Sequence, residues 1–113
     1  QLSSMPTTKT NQINTQVITV DGLVCGNRLS SQTLEAFIYD EQDNTITAIF
    51  YRSTDAYVYE DVSTEDKDKI VSCIYNNQSV GRTFNATIKQ RKECSKLIDG
   101  GIFYREFLES ITL

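Results

Sequence analysis

The sequence has no histidine, no long apolar run and only three cysteines, and each shortage excludes a class of protein. Without an imidazole it cannot form a Ser-His-Asp or Cys-His catalytic pair or a histidine-ligated metal site. No apolar stretch approaches the roughly 20 residues that span a bilayer, and residues 1–10 contain no signal-peptide core. We therefore expect a protein that is not an enzyme, needs no cofactor or metal ion, and does not bind membranes.

The three cysteines, Cys25, Cys73 and Cys94, are odd in number and lack a Cys-x-x-Cys spacing. This usage is typical of free thiols in a reducing compartment, and it favours a cytoplasmic protein with at least one thiol in the core. A disulfide in a secreted protein is the alternative.

The first half of the chain predicts an antiparallel meander sheet. Residues 1–14 are polar, contain the single proline and predict a flexible tail. Val17–Val20 is a β-branched run closed by Asp-Gly, which predicts a strand or an arm that adds to a sheet. Apolar-rich or alternating segments follow over 34–40, 45–52 and 57–62, with polar turns between them. Together they predict a sheet of three to four strands.

Beyond the last of these strands the apolar spacing becomes helical. A capping Ser or Thr, acids in the first turn and apolar residues at helical spacing predict a helix over about 64–76 that packs on the sheet. A short second helix is predicted over about 83–96, and a third helix follows Gly100-Gly101. The predicted product is one α+β domain over residues 15–113, with the helices on one face of the sheet.

A set of motifs within residues 30–92 occurs together in one known family. The residues that carry it are Ser31, Tyr39-Asp40, Ile46, Ile49, Phe50, Tyr57-Val58-Tyr59, Val62, Asn77, Ser79-Val80-Gly81, Phe84-Asn85 and Ile88-Lys89. This pattern resembles the KTSC domain, a small module named after the C-terminal extension of some lysyl-tRNA synthetases. Two positions depart from the family, since Asp55-Ala56 stands where a glycine is usual and Ser63 where a proline is usual.

The resemblance implies a compact α+β core over about 30–92, with additions at both ends. The fusion of this module to a tRNA synthetase implies an association with nucleic acid. Its occurrence as stand-alone bacterial and phage proteins implies the cytoplasm of a bacterium or of a phage-infected cell.

Charge is divided along the chain, although the formal net charge is only -4. Residues 82–96 hold five cations against one acid, a net +4, whereas residues 35–68 hold ten acids against two cations, a net −8. The basic segment predicts an edge that contacts phosphates. The alternative is a solvated surface whose cations pair with the acidic segment.

These features favour a small module that binds RNA or single-stranded DNA. Tyr57 and Tyr59 lie on one face of a strand and offer rings on which bases can stack. The alternative is that this face packs under the helix. The turn at 79–81 offers backbone N–H groups to a phosphate, or is ordinary turn chemistry. The predicted nucleic-acid-binding residues are Tyr57, Tyr59, Arg82, Phe84, Lys89, Arg91 and Lys92.

A second hypothesis is a protein-interaction module. Phe103, Phe107, Leu108 and Ile111 form an apolar stripe near the C-terminus, with a spacing of about four. The stripe predicts a docking helix for a protein partner or a homodimer contact, and the alternative is an additional core helix. The acidic segment would meet a basic surface, so a phage-encoded module of this kind could bind or inhibit a host protein.

Overall fold

A computed structural model of the chain describes residues 16–111. Within them six strands form one antiparallel sheet in chain order. The strands are β1 Val17–Val20, β2 Leu23–Gly26, β3 Leu34–Asp40, β4 Thr45–Phe50, β5 Ala56–Tyr59 and β6 Cys94–Leu97. The helices are α1 Thr64–Tyr75, α2 Val80–Phe84, which continues as a π-helical turn over Asn85–Lys89, and α3 Gly100–Ile111.

The predicted α+β class is confirmed, but the described sheet has more strands than the three to four that were expected. Strand β2 contains a glycine, and all four residues of β6 are exposed, so neither shows an alternation of apolar and polar residues. The predicted second helix is wrong beyond Lys89, because Cys94–Leu97 pairs with β5 instead. Pairing with a neighbouring strand, rather than local sequence, makes β6 a strand.

The helix predicted over 64–76 is confirmed as Thr64–Tyr75. The Ser63 hydroxyl accepts a hydrogen bond from the Asp66 N–H, and the Asp66 carboxylate accepts one from the Ser63 N–H. This capping box satisfies two backbone donors at the start of the helix. Ile70, Cys73 and Ile74 are buried against the sheet.

Strand alternation gives the sheet two apolar faces. The first, which we call the α1 face, lies under α1, α2 and the π-helical turn. Its core contains Phe37, Tyr39, Ile46, Tyr59, Val62, Ile70, Val80, Phe84 and Ile88. The second, which we call the α3 face, buries Cys25, Ala36, Ile38, Ile49 and Leu108. The prediction that all helices lie on one face is therefore wrong for α3, because the second apolar set of the strands also needs a cover.

Helix α3 crosses the sheet near one end of its strands. A Cβ on Gly101 would lie 2.8 Å from the carbonyl oxygens of Thr54 and Asp55, so the first turn sits directly on the chain before β5. Further along, Arg105 Nη2 lies 2.9 Å from a Glu35 carboxylate oxygen and donates to the Phe50 carbonyl at 3.0 Å. These contacts fix α3 over the end of β4 that is remote from the β3–β4 turn.

The last predictions concern the two ends of the chain and membrane spanning. The predicted tail, residues 1–14, and both boundaries of the predicted domain lie outside the described residues. Across residues 16–111, every helix is too short or too polar to cross a membrane.

Candidate functional site

Several residues of the KTSC-like pattern have definite structural contacts. The Tyr39 hydroxyl donates to the Val62 carbonyl at 3.1 Å and accepts from Asn44 Nδ2 at 3.0 Å. The Ser31 hydroxyl accepts from the N–H of Leu34 at 3.1 Å, and a Cβ on Gly81 would lie 2.8 Å from it. These contacts join β3 to the chain just before α1, and they bring the Ser31 loop against the start of α2. They account for Ser31, Tyr39 and Gly81 of the motif by packing.

Two rings of the predicted nucleic-acid-binding set are buried. Tyr59 is 3% exposed and Phe84 is 2% exposed, and their ring centroids lie 5.5 Å apart in an edge-to-face contact. Burial raises the pKa of the Tyr59 hydroxyl, since the ionised form would lose its water. Neither ring presents a face on which a base can stack. Tyr57 is half-buried and touches Phe50, with 5.5 Å between the ring centroids.

The predicted basic set is divided between two places. Arg82 and Lys89 line an open groove beside Phe50, Asn85 and Thr33, and we call it the Phe50 groove. The Lys89 ammonium lies 5.4 Å from the centroid of the Phe50 ring, a cation–π arrangement. Arg91 and Lys92 instead line a cleft with three acids, Glu60, Asp61 and Glu93. The segment 82–96 therefore does not present one continuous basic patch.

Lys92 and Lys96 pair with the acidic segment. Lys92 Nζ donates to the Asp61 carbonyl at 2.7 Å and lies 3.4 Å from an Asp66 carboxylate oxygen. Lys96 Nζ lies 3.4 Å from an Asp55 carboxylate oxygen. The Asp99 N–H donates to that same carboxylate at 2.9 Å and lowers the pKa of Asp55, and Lys96 acts in the same direction. For these two lysines the structure agrees with the paired alternative.

The residues of the predicted partner-binding stripe differ in their exposure to solvent. Leu108 is 1% exposed and belongs to the core of the α3 face. Phe107 and Ile111 are half-buried against that core, whereas Phe103 is 64% exposed. The stripe is thus a core element at its centre and a surface element at Phe103 and along one flank.

That flank borders a groove, which we call the α3 groove. Because α3 covers only one end of the strands, the other end of the α3 face stays open beside it. The groove has a volume of about 440 Å³. It is lined by Leu23, Ile38, Asp40, Asp43, Thr45, Thr47, Val58, Phe103, Tyr104 and Phe107. Within the described part of the chain its lining contains two carboxylates and no cation.

The region around the start of α3 is unusually apolar at its surface. Of the six exposed large hydrophobic side chains in residues 16–111, four lie between positions 97 and 103. They are Leu97, Ile98, Ile102 and Phe103. Neighbouring exposed apolar side chains of this kind mark interaction sites more often than scattered ones do. Only Phe103 among them belongs to a site predicted from the sequence, because no element was predicted for Leu97 and Ile98, which lie between the predicted second helix and Gly100-Gly101.

The three cysteines are free thiols that differ in exposure. Cys25 and Cys73 are buried, Cys94 is exposed, and none of the three forms a disulfide. Burial raises the pKa of the Cys25 thiol to about 11, which keeps it protonated and unreactive at neutral pH. Across residues 16–111, no group of three or more Cys, Asp or Glu side chains is arranged to hold a metal ion.

No protein-family model matches the chain, and no curated protein matches it. The KTSC resemblance therefore stays a prediction, which rests on the motif residues described above.

Proposed function

We propose that this chain is a non-enzymatic interaction module that binds a protein partner in the α3 groove. The observation that carries this proposal is the half-covered α3 face with Phe103, 64% exposed, at its rim. An aromatic side chain beside an apolar groove is the usual anchor of a protein interface.

The closed core and the wall of the groove belong to different segments of the chain. Residues 30–92, the KTSC-like part, form most of the α1 face, whose core is closed. The wall of the groove is formed by α3, which belongs to the C-terminal addition. A KTSC-like scaffold would then carry a partner surface in its added segment, in the cytoplasm of a bacterium or a phage-infected cell.

A selection from a random peptide library tests the proposed function. We expect the wild-type protein to enrich peptides that the Phe103→Ser variant does not retain, because the variant loses the aromatic rim. Ile102→Ser is the matched control, since Ile102 is also exposed on α3 but does not line the groove. Failure to enrich any Phe103-dependent peptide would overturn the proposal.

Binding of RNA or single-stranded DNA is the second candidate, and the Phe50 groove favours it. Arg82 and Lys89 line this groove together with the Phe50 ring, and no acid is among the described residues that line it. Tyr57 lies against the same ring. Two cations beside an aromatic ring are the elements of a weak single-strand site.

A titration of fluorescent single-stranded RNA and DNA at low and moderate salt tests this candidate. Two phosphate contacts predict that log K falls with log salt with a slope of about −1.4. The double variant Arg82→Gln, Lys89→Gln should lose this dependence, whereas Arg91→Gln should keep it because Arg91 lies in the acidic cleft. Equal affinity of both variants would exclude the Phe50 groove, and no binding at low salt would exclude the function.

A further inference from the structure

We infer that the α3 groove takes an amphipathic helix with Lys or Arg along one flank, supplied by a different protein. This inference rests on the proposed function and specifies the chemical class of the partner. Three features of the groove carry it: its dimensions, the cover that its floor lacks, and the charge of its second wall.

The dimensions of the groove fit a helix. Its floor contains Leu23 of β2, Ile38 of β3 and Val58 of β5, so it extends across four neighbouring strands. Strands lie about 4.8 Å apart, which makes the floor about 14 Å long. At 1.5 Å per residue this length holds about nine residues of helix. A strand laid on a sheet face finds no backbone donors there, because the sheet uses them within its own ladders.

The floor also lacks the cover that the opposite face has. The α1 face is packed under both α1 and α2, whereas α3 is the one helix on the α3 face within the described residues. Helices cover sheet faces side by side. A second helix beside α3 would contact Phe103, Tyr104 and Phe107 on one flank and the floor below, so its inner face must be apolar.

The negative charge of the second wall determines which side chains the other flank of the partner helix must carry. The wall opposite α3 is the β3–β4 turn, which contributes Asp40 and Asp43. The Asp40 carboxylate is held in place, because it accepts hydrogen bonds from the N–H groups of Gln42 at 2.9 Å and Asp43 at 3.2 Å. With no cation among the described lining residues, a partner helix must bring Lys or Arg to this wall.

The same charges disfavour a second copy of this chain as the occupant. The exposed side of its α3 carries Glu106, which would approach Asp40 and Asp43 of the first copy, while Glu109 on the same side is already paired with Arg28. Carboxylates brought together in this way repel each other and lower the affinity. A basic helix from another protein meets no such repulsion.

A designed peptide of about 14 residues tests the inference, because it forms about four helical turns. The probe carries Leu at positions i, i+3, i+4 and i+7, Lys along one flank and a fluorescent label; the matched probe carries Glu instead of Lys. We expect the Lys probe to bind in an anisotropy titration, with an affinity about tenfold lower for Phe103→Ser.

Charge variants test whether the second wall of the groove attracts the cationic flank of the probe. Asp43→Asn should weaken binding of the Lys probe by about two- to fivefold, in the range of an exposed ion pair. Glu41→Gln on the same turn should leave the affinity unchanged, because Glu41 does not line the groove. Equal binding of the Lys and Glu probes, or an Asp43→Asn variant with unchanged affinity, would overturn the inference.

Three further outcomes distinguish failure of this inference from failure of the proposed function. If the library yields Phe103-dependent peptides that are acidic or extended, the inference fails and the proposed function stands. If sedimentation shows a dimer that Phe103→Ser dissociates, the occupant is a second copy and the inference fails. If the library and the Lys probe both give no Phe103-dependent binding, both proposals fail.

Discussion

On the α1 face, Phe37, Tyr39 and Phe84 are at most 2% exposed, whereas Phe103 on the α3 face is 64% exposed. The two faces belong to one sheet, and they differ because the first is covered by two packed helices and the second by one helix near the end of the strands. On the covered face, aromatic and motif residues are committed to packing. Open apolar surface is left where the cover is partial.

Replacing one phenylalanine on each face gives the largest expected contrast. Phe84→Ala should lower the free energy of unfolding by about 3–5 kcal/mol, because it opens a cavity beside Tyr59 and Phe50. Phe103→Ala should change it by less than about 0.5 kcal/mol, since that ring is largely in water already. Urea unfolding followed by circular dichroism measures both. Equal losses would show that the α3 face is as closed as the α1 face.

Replacing Gly101 with alanine tests how closely α3 packs on the chain before β5. Helix propensity alone predicts that Gly101→Ala stabilises the protein by about 1 kcal/mol. The Thr54 and Asp55 carbonyl oxygens lie 2.8 Å from the added Cβ, so we expect a loss of about 1–3 kcal/mol instead. Ile102→Ala in the same turn is the control and should have a small effect. A stabilised Gly101→Ala protein would mean that α3 can lift from the sheet.

The pH dependence of Asp55 gives the smallest expected effect. The Asp99 N–H and Lys96 lower the pKa of Asp55 in the folded state, so its contribution to stability is present above its ordinary pKa of about 4. The contribution is lost as the pH falls through the lowered folded pKa. Asp55→Asn should therefore shift the urea midpoint more at neutral pH than at acid pH. Equal shifts at both pH values would show that the Asp55 carboxylate does not stabilise the contact between the start of β5 and the start of α3.

The fold was predictable where local chemistry and packing agree. A capping residue at Ser63 or Thr64 and the apolar spacing of Ile70, Cys73 and Ile74 predicted α1 almost to the residue. Strand β6 was not predictable, because its exposed Cys, Ser, Lys and Leu have no alternation and become a strand only by pairing with β5. Strand pairs distant in the chain leave no local signal in the sequence.

The candidate sites were predictable only in part, for a similar reason. Alternation placed Tyr57 and Tyr59 on one face but left open whether a helix covers that face, as it does. Helical spacing placed Phe103 with Leu108, yet only the angle at which α3 crosses the sheet decides which of them is exposed. The proposed role of Asp43 depends on the position of α3 across the groove, which no spacing in the sequence encodes.

The connection between β5 and β6 has a kinetic consequence. These strands are neighbours in the sheet, but residues 60–93 separate them in the chain. The hairpins from β1 to β5 form between residues that are close in the chain. Strand β6 and α3 can pack only after the long connection over residues 60–93 has closed. We expect β6 and α3 to form a separate cooperative unit that exchanges its amide hydrogens before the α1 face does. The surface that we propose as a partner site would then open and re-form while the rest of the molecule stays folded.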